Sequence, residues 1–124
     1  MSILDMANTF IEMVRNNETE RVLSELYAPD AVSVEAAAME DRPRAVEGVA
    51  AIRGKHAWWD ETFEVHDASV EGPFPHGDDR FAVIYGIKAT HKPSGQTSDM
   101  REVGVYHVAD NKIVREEFFY PSGA

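Results

Sequence analysis

Apolar residues recur at three- and four-residue steps in three segments of the chain, and this spacing predicts three amphipathic helices. The first covers residues 2–15, where Ser2 and Asp5 are placed like a capping pair. The second is shorter and ends before Pro29, because the residue preceding a proline avoids helical geometry. The third covers residues 47–61.

The other regular segments are rich in β-branched residues or alternate between apolar and polar, which predicts strands. A short strand covers residues 31–36, and the charged segment 39–48 after it is expected to be a loop. Beyond Phe63, turn-rich connections separate four strands of an antiparallel meander, at residues 63–72, 80–91, 98–108 and 112–120. This order predicts a single α+β domain over residues 1–124, in which helices cover one face of a curved sheet.

The faces of these strands follow from alternation. Along residues 80–91, the larger and more apolar face is predicted to lie in the core, and it carries Phe81, Val83, Tyr85 and Ile87. The two adjacent acids Glu116 and Glu117 of the last strand must point to opposite faces. One of them is therefore a candidate for burial.

The turn Ala109–Asn111 decides which acid is buried. With a three-residue turn, Glu116 lies opposite Gly104 on the inner face, while Glu117 lies outside near Arg115. The inner face then carries Gly104, Tyr106, Val108, Val114, Glu116, Phe118 and Tyr120, and the outer face carries Arg101, Val103, Val105, His107, Ile113, Arg115, Glu117 and Phe119. A two-residue turn would swap the two faces, because a shift of one residue inverts the pairing.

Net charge narrows the choice of partners. The chain has 12 Lys and Arg against 22 Asp and Glu, a formal charge of −10, so it repels phosphate backbones and anionic lipid. We therefore expect neither nucleic acid nor membrane as a partner. The sequence has no cysteine, no apolar stretch long enough to span a bilayer and no signal peptide, which favours a soluble, cytoplasmic protein.

Three carboxylates, Glu35, Glu102 and Glu116, are candidates for acid-base chemistry. Apolar surroundings raise the pKa of a carboxyl group toward neutrality, where it can act as general acid or base. His56 lies on the inward side of the third helix, and histidine also titrates near neutral pH. We predict Glu35, His56 and Glu116 as the proton-handling groups.

Other kinds of catalytic site are not indicated. The five histidines have no metal-binding spacing, so no metal site is expected. The sequence has neither a phosphate-binding glycine loop nor a nucleophile elbow, and no organic cofactor is predicted.

The segments "LYAPDAV" at 26–32, "GVAAIRGKHAWW" at 48–59 and "VGVYHVADNKIVREEFFY" at 103–120, with the order of elements, resemble the nuclear transport factor 2-like superfamily. Within it, the chain is most similar to the SnoaL-like proteins. The resemblance implies a cone-shaped, cystatin-like α+β roll, in which three helices and a strongly curved, mainly antiparallel sheet enclose an apolar pocket. It also implies a homodimer through the outer sheet face. Members include polyketide cyclases, ketosteroid isomerases, scytalone dehydratases and non-catalytic modules.

The ketosteroid isomerase pattern is only partly present. Its general-base carboxylate corresponds to Glu35, while its tyrosine and aspartate donors fall near Phe10 and Gly104, which cannot replace them. The expected function is therefore broader: binding of an apolar or aromatic small molecule, with proton transfer of the isomerase, cyclase or dehydratase type. The alternative is a non-catalytic ligand-binding or dimerisation module. The predicted ligand-binding residues are Phe10, Trp59, Val83, Tyr85, Glu102, Gly104, Tyr106, Phe118 and Tyr120.

Overall fold

A computed structural model describes residues 1–38 and 42–121. Its elements are α1 (Ile3–Arg15), α2 (Thr19–Leu26), β1 (Tyr27–Val34), β2 (Ala45–Glu47), α3 (Val49–Thr62), β3 (Phe63–His76), β4 (Arg80–His91), β5 (Gln96–Ala109) and β6 (Lys112–Phe119). The strands form one mixed sheet in the order β2-β1-β6-β5-β4-β3. Only β1 and β6 pair in parallel among the described strands. The predicted α+β class and the meander β3 to β6 are confirmed.

Helix α1 begins as the sequence predicts. The hydroxyl of Ser2 accepts a hydrogen bond from the Asp5 amide, and the Asp5 carboxylate accepts one from the Ser2 amide, which completes a capping box. The apolar stripe of α1 is buried against the sheet, with Met6, Phe10 and Ile11 at most 3 % exposed. This helix therefore closes one side of the inner face.

Strand β1 begins earlier than predicted. The chain leaves α2 at Leu26, and Tyr27 already pairs with Ile113 of β6. Ala28 precedes Pro29, and a residue in that position favours extended geometry, so β1 contains the proline instead of following it. The predicted loop 39–48 is also partly wrong, since Ala45–Glu47 pairs with β1 as β2. Residues 39–41 of that loop lie outside the described residues.

The β5–β6 hairpin has a two-residue turn, so the predicted three-residue turn is wrong. Asp110 and Asn111 both have positive φ, at 52° and 60°, and Ala109 pairs with Lys112. The ladder then shifts between His107 and Val108. As a result one extra residue, Val114, stands on β6 as a β-bulge.

The bulge restores the alternation that the short turn inverts. Glu116 and Phe118 therefore keep their predicted inner face, although Glu116 lies opposite Tyr106, and Phe118 takes the place opposite Gly104. Next to the turn, the predicted faces of two residues are wrong. Ile113, predicted on the outer face, is fully buried, and Val114, predicted on the inner face, is only partly buried. Glu116 itself is 3 % exposed.

The core fills one end of the inner sheet face. The rings of Phe81 and Tyr106 stack with centroids 5.2 Å apart, and Phe10 of α1 contacts both rings at 5.5 Å and 4.5 Å. Phe81 and Val83 are fully buried, as predicted for the inner face of β4. The polar residues of the inner face lie beside this aromatic group, toward α3.

Candidate functional site

Glu116 lies at the centre of a group of polar side chains on the inner face of the sheet. The Tyr27 hydroxyl donates to its Oε1 atom, and the Ser33 hydroxyl donates to its Oε2 atom over 2.6 Å. Ser33 is the direct neighbour of Glu116 in the parallel β1–β6 ladder and is itself fully buried. Burial raises the pKa of Glu116, and the two hydrogen bonds oppose that rise.

Lys55 joins the group from α3. Its Nζ atom donates to the Ser33 hydroxyl over 2.7 Å and lies 3.4 Å from Oε2 of Glu35. The ammonium also lies 5.5 Å from the centroid of the Phe118 ring, within the range of a cation–π contact. The Glu35 Oε2 atom is buried and accepts no hydrogen bond from the described residues. It forms an ion pair with Lys55.

Glu102 completes the set of three inner carboxyl groups. It lies on β5 opposite Tyr85 of β4, two pairs further along the ladder than Gly104 and Val83 and therefore on the same face. Burial raises its pKa to about 7, the charge of Glu35 adds to the rise, and Lys55 opposes it. At neutral pH this carboxyl group therefore exchanges between its neutral and charged forms.

Two tyrosines separate the carboxyl groups from the aromatic core. The hydroxyls of Tyr85 and Tyr106 lie 2.6 Å apart and share a hydrogen bond. Both rings occupy the space above Gly104, where an added Cβ would lie 3.0 Å from Tyr106 and 3.1 Å from Tyr85. Tyrosine rings therefore fill the space beside Gly104.

We call the residues described so far the inner cluster: Tyr27, Ser33, Glu35, Lys55, Tyr85, Glu102, Tyr106 and Glu116. The structure brings Glu35 and Glu116 together in it through Lys55 and Ser33. Among the described residues, His56 forms no side-chain hydrogen bond with the inner cluster. Burial and the adjacent Lys55 lower the pKa of His56, whereas Asp60 acts in the opposite direction. The catalytic roles of Glu35, His56 and Glu116 stay predictions.

The predicted ligand-binding residues not yet placed in the inner cluster, with Tyr106, occupy three parts of the fold. Phe10, Val83 and Tyr106 lie in the core, whereas Phe118 and Tyr120 lie on the side of the carboxyl groups. Burial and the charges of nearby carboxylates raise the pKa of Tyr120. Trp59 stacks on Phe63 with centroids 4.1 Å apart, at the junction of α3 and β3.

Sequence reasoning missed Tyr27, Ser33 and Lys55. Ser33 could have been found, because it stands two residues before Glu35 within the predicted strand 31–36 and so shares its face. Lys55 stands one helical turn after Ile52, an apolar residue of the predicted third helix. Its position beside the core could therefore also have been inferred, since Ile52 is fully buried. Tyr27 gave no such signal, since it lies before the predicted start of the strand.

Two surface depressions lie away from the inner cluster. One, of about 180 Å³, lies between the start of α1 and the β5–β6 turn, and another, of about 360 Å³, lies over β3, β4 and β5 on the outer face. The described residues contain no group of three His, Asp or Glu side chains that could hold a metal ion. In the same residues, no helix is long and apolar enough to cross a membrane.

The sequence profile of the SnoaL-like domain family matches residues 1–120. A crystal structure from Mesorhizobium loti, named as that of a SnoaL-like polyketide cyclase candidate and also labelled carbohydrate phosphatase, is 38 % identical. The match covers 97 % of this chain and 100 % of the other, with a TM-score of 0.89. No curated protein matches this sequence.

More distant structures share the fold alone. An NTF2-like protein from Burkholderia thailandensis is 15 % identical with a TM-score of 0.82, and the match covers 98 % of this chain and 92 % of the other. A Xanthomonas campestris protein of unknown function with a cystatin-like fold is 19 % identical with a TM-score of 0.77, over 98 % and 92 % of the two chains. These similarities confirm the predicted cystatin-like architecture, and the family profile over residues 1–120 confirms the predicted resemblance to the SnoaL-like proteins.

Proposed function

The chain belongs to the SnoaL-like domain family, and we propose that it binds a small apolar or aromatic molecule with a carbonyl oxygen and transfers a proton on it. The reaction would be an isomerisation, cyclisation or dehydration. One observation carries this proposal: the inner face places the Lys55 ammonium, 3.4 Å from Glu35, together with Glu102, a carboxyl group opposite Tyr85 whose pKa burial raises to about 7. The Mesorhizobium loti relative named as a polyketide cyclase candidate supports the reaction class.

The two groups have complementary tasks. Glu102 would remove a proton from the carbon next to the carbonyl group and return it to another atom of the ligand. Lys55 would stabilise the negative charge that develops on the carbonyl oxygen, since a cation in partly buried surroundings acts strongly on such a charge. Glu35 would hold the Lys55 ammonium in place at 3.4 Å.

Proton transfer at carbon can be measured without knowing the final product. Aromatic ketones and related carbonyl compounds would first be screened for binding by thermal shift, because a bound ligand raises the midpoint of unfolding. Each compound that binds would then be incubated with the protein in D₂O and analysed for deuterium uptake by mass spectrometry. We expect uptake with the wild type and at least a tenfold slower uptake with Glu102→Gln.

The matched control is Glu64→Gln, which makes the same change at an exposed position of β3. It should leave both binding and deuterium uptake unchanged. Equal uptake by the wild type and Glu102→Gln would contradict the role of Glu102.

The second candidate is a non-catalytic ligand-binding module. It is favoured by the aromatic rings of Phe10, Phe81 and Tyr106, which fill one end of the inner face as a packed core does. In the same experiment this function would give binding in the thermal-shift screen and no deuterium uptake with any compound.

We also propose a homodimer through the outer sheet face. Phe119 is 53 % exposed there and pairs with Val103, which in turn pairs with Ile84, so that one apolar row crosses three strands. Phe74, on the same face, is 50 % exposed. Exposed apolar rows of this kind are typical of protein interfaces. Sedimentation at micromolar concentration should give twice the monomer mass, and the monomer mass would rule the dimer out.

A further inference from the structure

The direction of the hydrogen bonds around Glu116 can be worked out from the chemistry of the donors. Lys55 carries an ammonium group, which can only donate, so the Ser33 oxygen must accept from it over 2.7 Å. The single proton of the Ser33 hydroxyl is then free to point elsewhere, and Oε2 of Glu116 lies 2.6 Å away. Oε2 is therefore an acceptor.

The other oxygen of Glu116 is an acceptor for a similar reason. Burial raises the pKa of Tyr27 well above its ordinary value, so the hydroxyl keeps its proton. Among the described residues, that hydroxyl has no hydrogen-bond partner besides Oε1 of Glu116. Both oxygens of this carboxyl group therefore accept hydrogen bonds, which is the arrangement of a charged carboxylate.

Glu102 is placed differently. It accepts no side-chain hydrogen bond from the described residues, and the charged groups that act on it are Glu35, Lys55 and Glu116. Tyr85 faces it from β4. Burial and the charge of Glu35 are the larger causes of the raised pKa of Glu102, and a negative charge on Glu116 acts in the same direction, because like charges in low-dielectric surroundings repel each other.

We propose that Lys55 and Ser33 form a positioning relay that holds Glu116 as a carboxylate, and that this fixed charge acts together with the charge of Glu35 to keep the exchangeable proton of the inner cluster on Glu102. Tyr27 completes the relay at the second oxygen. Glu116 thus acts through Glu102 and does not contact the ligand. The second half of the proposal rests on the proposed function, whereas the relay can be measured in the ligand-free protein.

The test is a titration of the glutamate side chains by ¹³C NMR, with Glu102→Gln and Glu116→Gln used to assign the two signals. In the wild type we expect Glu116 to titrate at lower pH than Glu102. Ser33→Ala removes one donor to the charged form, so the Glu116 midpoint should rise by about one pH unit, a tenfold change in its acid dissociation constant. The Glu102 midpoint should not rise with it.

Three further variants separate the relay from general damage. Ser33→Thr keeps the hydroxyl and should restore the wild-type midpoint of Glu116. Lys55→Met should raise that midpoint even if Ser33→Ala does not fold. Arg53→Met is the matched control, because Arg53 is an exposed cation on the same helix, paired with Glu20 on the surface. It should move neither midpoint.

Three results would overturn the relay: a wild-type Glu116 that titrates above Glu102, an unchanged Glu116 midpoint in Ser33→Ala, or an unchanged one in Lys55→Met. The outcome is independent of turnover. If the midpoints behave as expected and no carbonyl compound exchanges deuterium, the relay is supported and the proposed reaction fails. If deuterium exchanges while the midpoints contradict the relay, the proposed reaction is supported and the relay fails.

Discussion

At the scale of single residues, Gly104 shows how an absent side chain shapes the inner cluster. A Cβ at this position would lie 3.0 Å from Tyr106 and 3.1 Å from Tyr85, so the two rings would have to shift by a few tenths of an ångström. Their shared hydrogen bond, between hydroxyls 2.6 Å apart, closes the aromatic core toward the carboxyl groups. The glycine therefore determines where the core ends and the polar part of the inner face begins.

We predict that Gly104→Ala destabilises the protein by about 1–3 kcal/mol, because ring atoms 3.0 Å from the new methyl group must move. Denaturant unfolding measures the change. The matched control is Gly54→Ala on α3, where no atom lies within 4 Å of an added Cβ. There the substitution should stabilise the protein by roughly 0.5–1 kcal/mol, since alanine favours the helix interior. Equal effects of the two substitutions would contradict this account.

At the scale of elements, the β5–β6 hairpin combines two irregularities that cancel. A two-residue turn alone would send Glu116 to the outer face, and the extra residue Val114 returns it to the inner face. The predicted burial of Glu116 is thus confirmed, although the turn and the pairing partner on which it was based are wrong. Turn length and bulge together, not the turn alone, determine the face.

Deletion of Val114 should therefore be tolerated. Without it, Ile113 is followed directly by Arg115, and the pairs formed by Val108 and His107 with these two residues form a regular ladder. Insertion of one alanine after Val114 should destabilise the protein more, because it turns Glu116 outward or requires a wider bulge. Thermal unfolding of both variants measures the difference. A deletion that is as harmful as the insertion would show that the bulge has another role.

Sequence patterns predicted most helices and strands, but not the contacts between residues that lie far apart along the chain. Local signals such as the capping box at Ser2, the helical stripes and the alternation of β4 gave α1, α3 and the meander. They did not give the partners of Glu116, because Ser33 lies 83 residues away along the chain and meets it only through a parallel pairing. The donors of Glu116 therefore became apparent only from the sheet order.

At the scale of the whole molecule, the inner carboxyl groups make stability depend on pH. The pKa of Glu102 rises from 4.5 to about 7 on folding, mainly because it is buried. The folded state therefore binds more protons than the unfolded state between these values, and stability falls as pH rises through that range. The stabilisation that results from the raised pKa of Glu102 is fully present below pH 4.5 and is lost as the pH rises through about 7.

We accordingly expect the free energy of unfolding to decrease between pH 5 and about pH 8, by up to about 3 kcal/mol from Glu102 alone. Urea denaturation at a series of pH values measures this slope. Glu102→Gln removes the titrating group and should flatten the curve. Glu64→Gln, at an exposed position of β3, should leave the slope as it is. The same slope in the wild type and in Glu102→Gln would refute the raised pKa of Glu102.

The parallel pairing of β1 with β6 also affects how the protein folds. Each donor to Glu116 is separated from it by more than 80 residues, 83 for Ser33 and 89 for Tyr27. Closing so long a stretch of chain costs conformational entropy before any contact between its ends offsets the loss, and topologies rich in such contacts fold slowly. The meander can pair locally, whereas the carboxylate environment requires this long-range closure. We therefore expect the chemistry of the site to be among the last properties that the folding chain acquires.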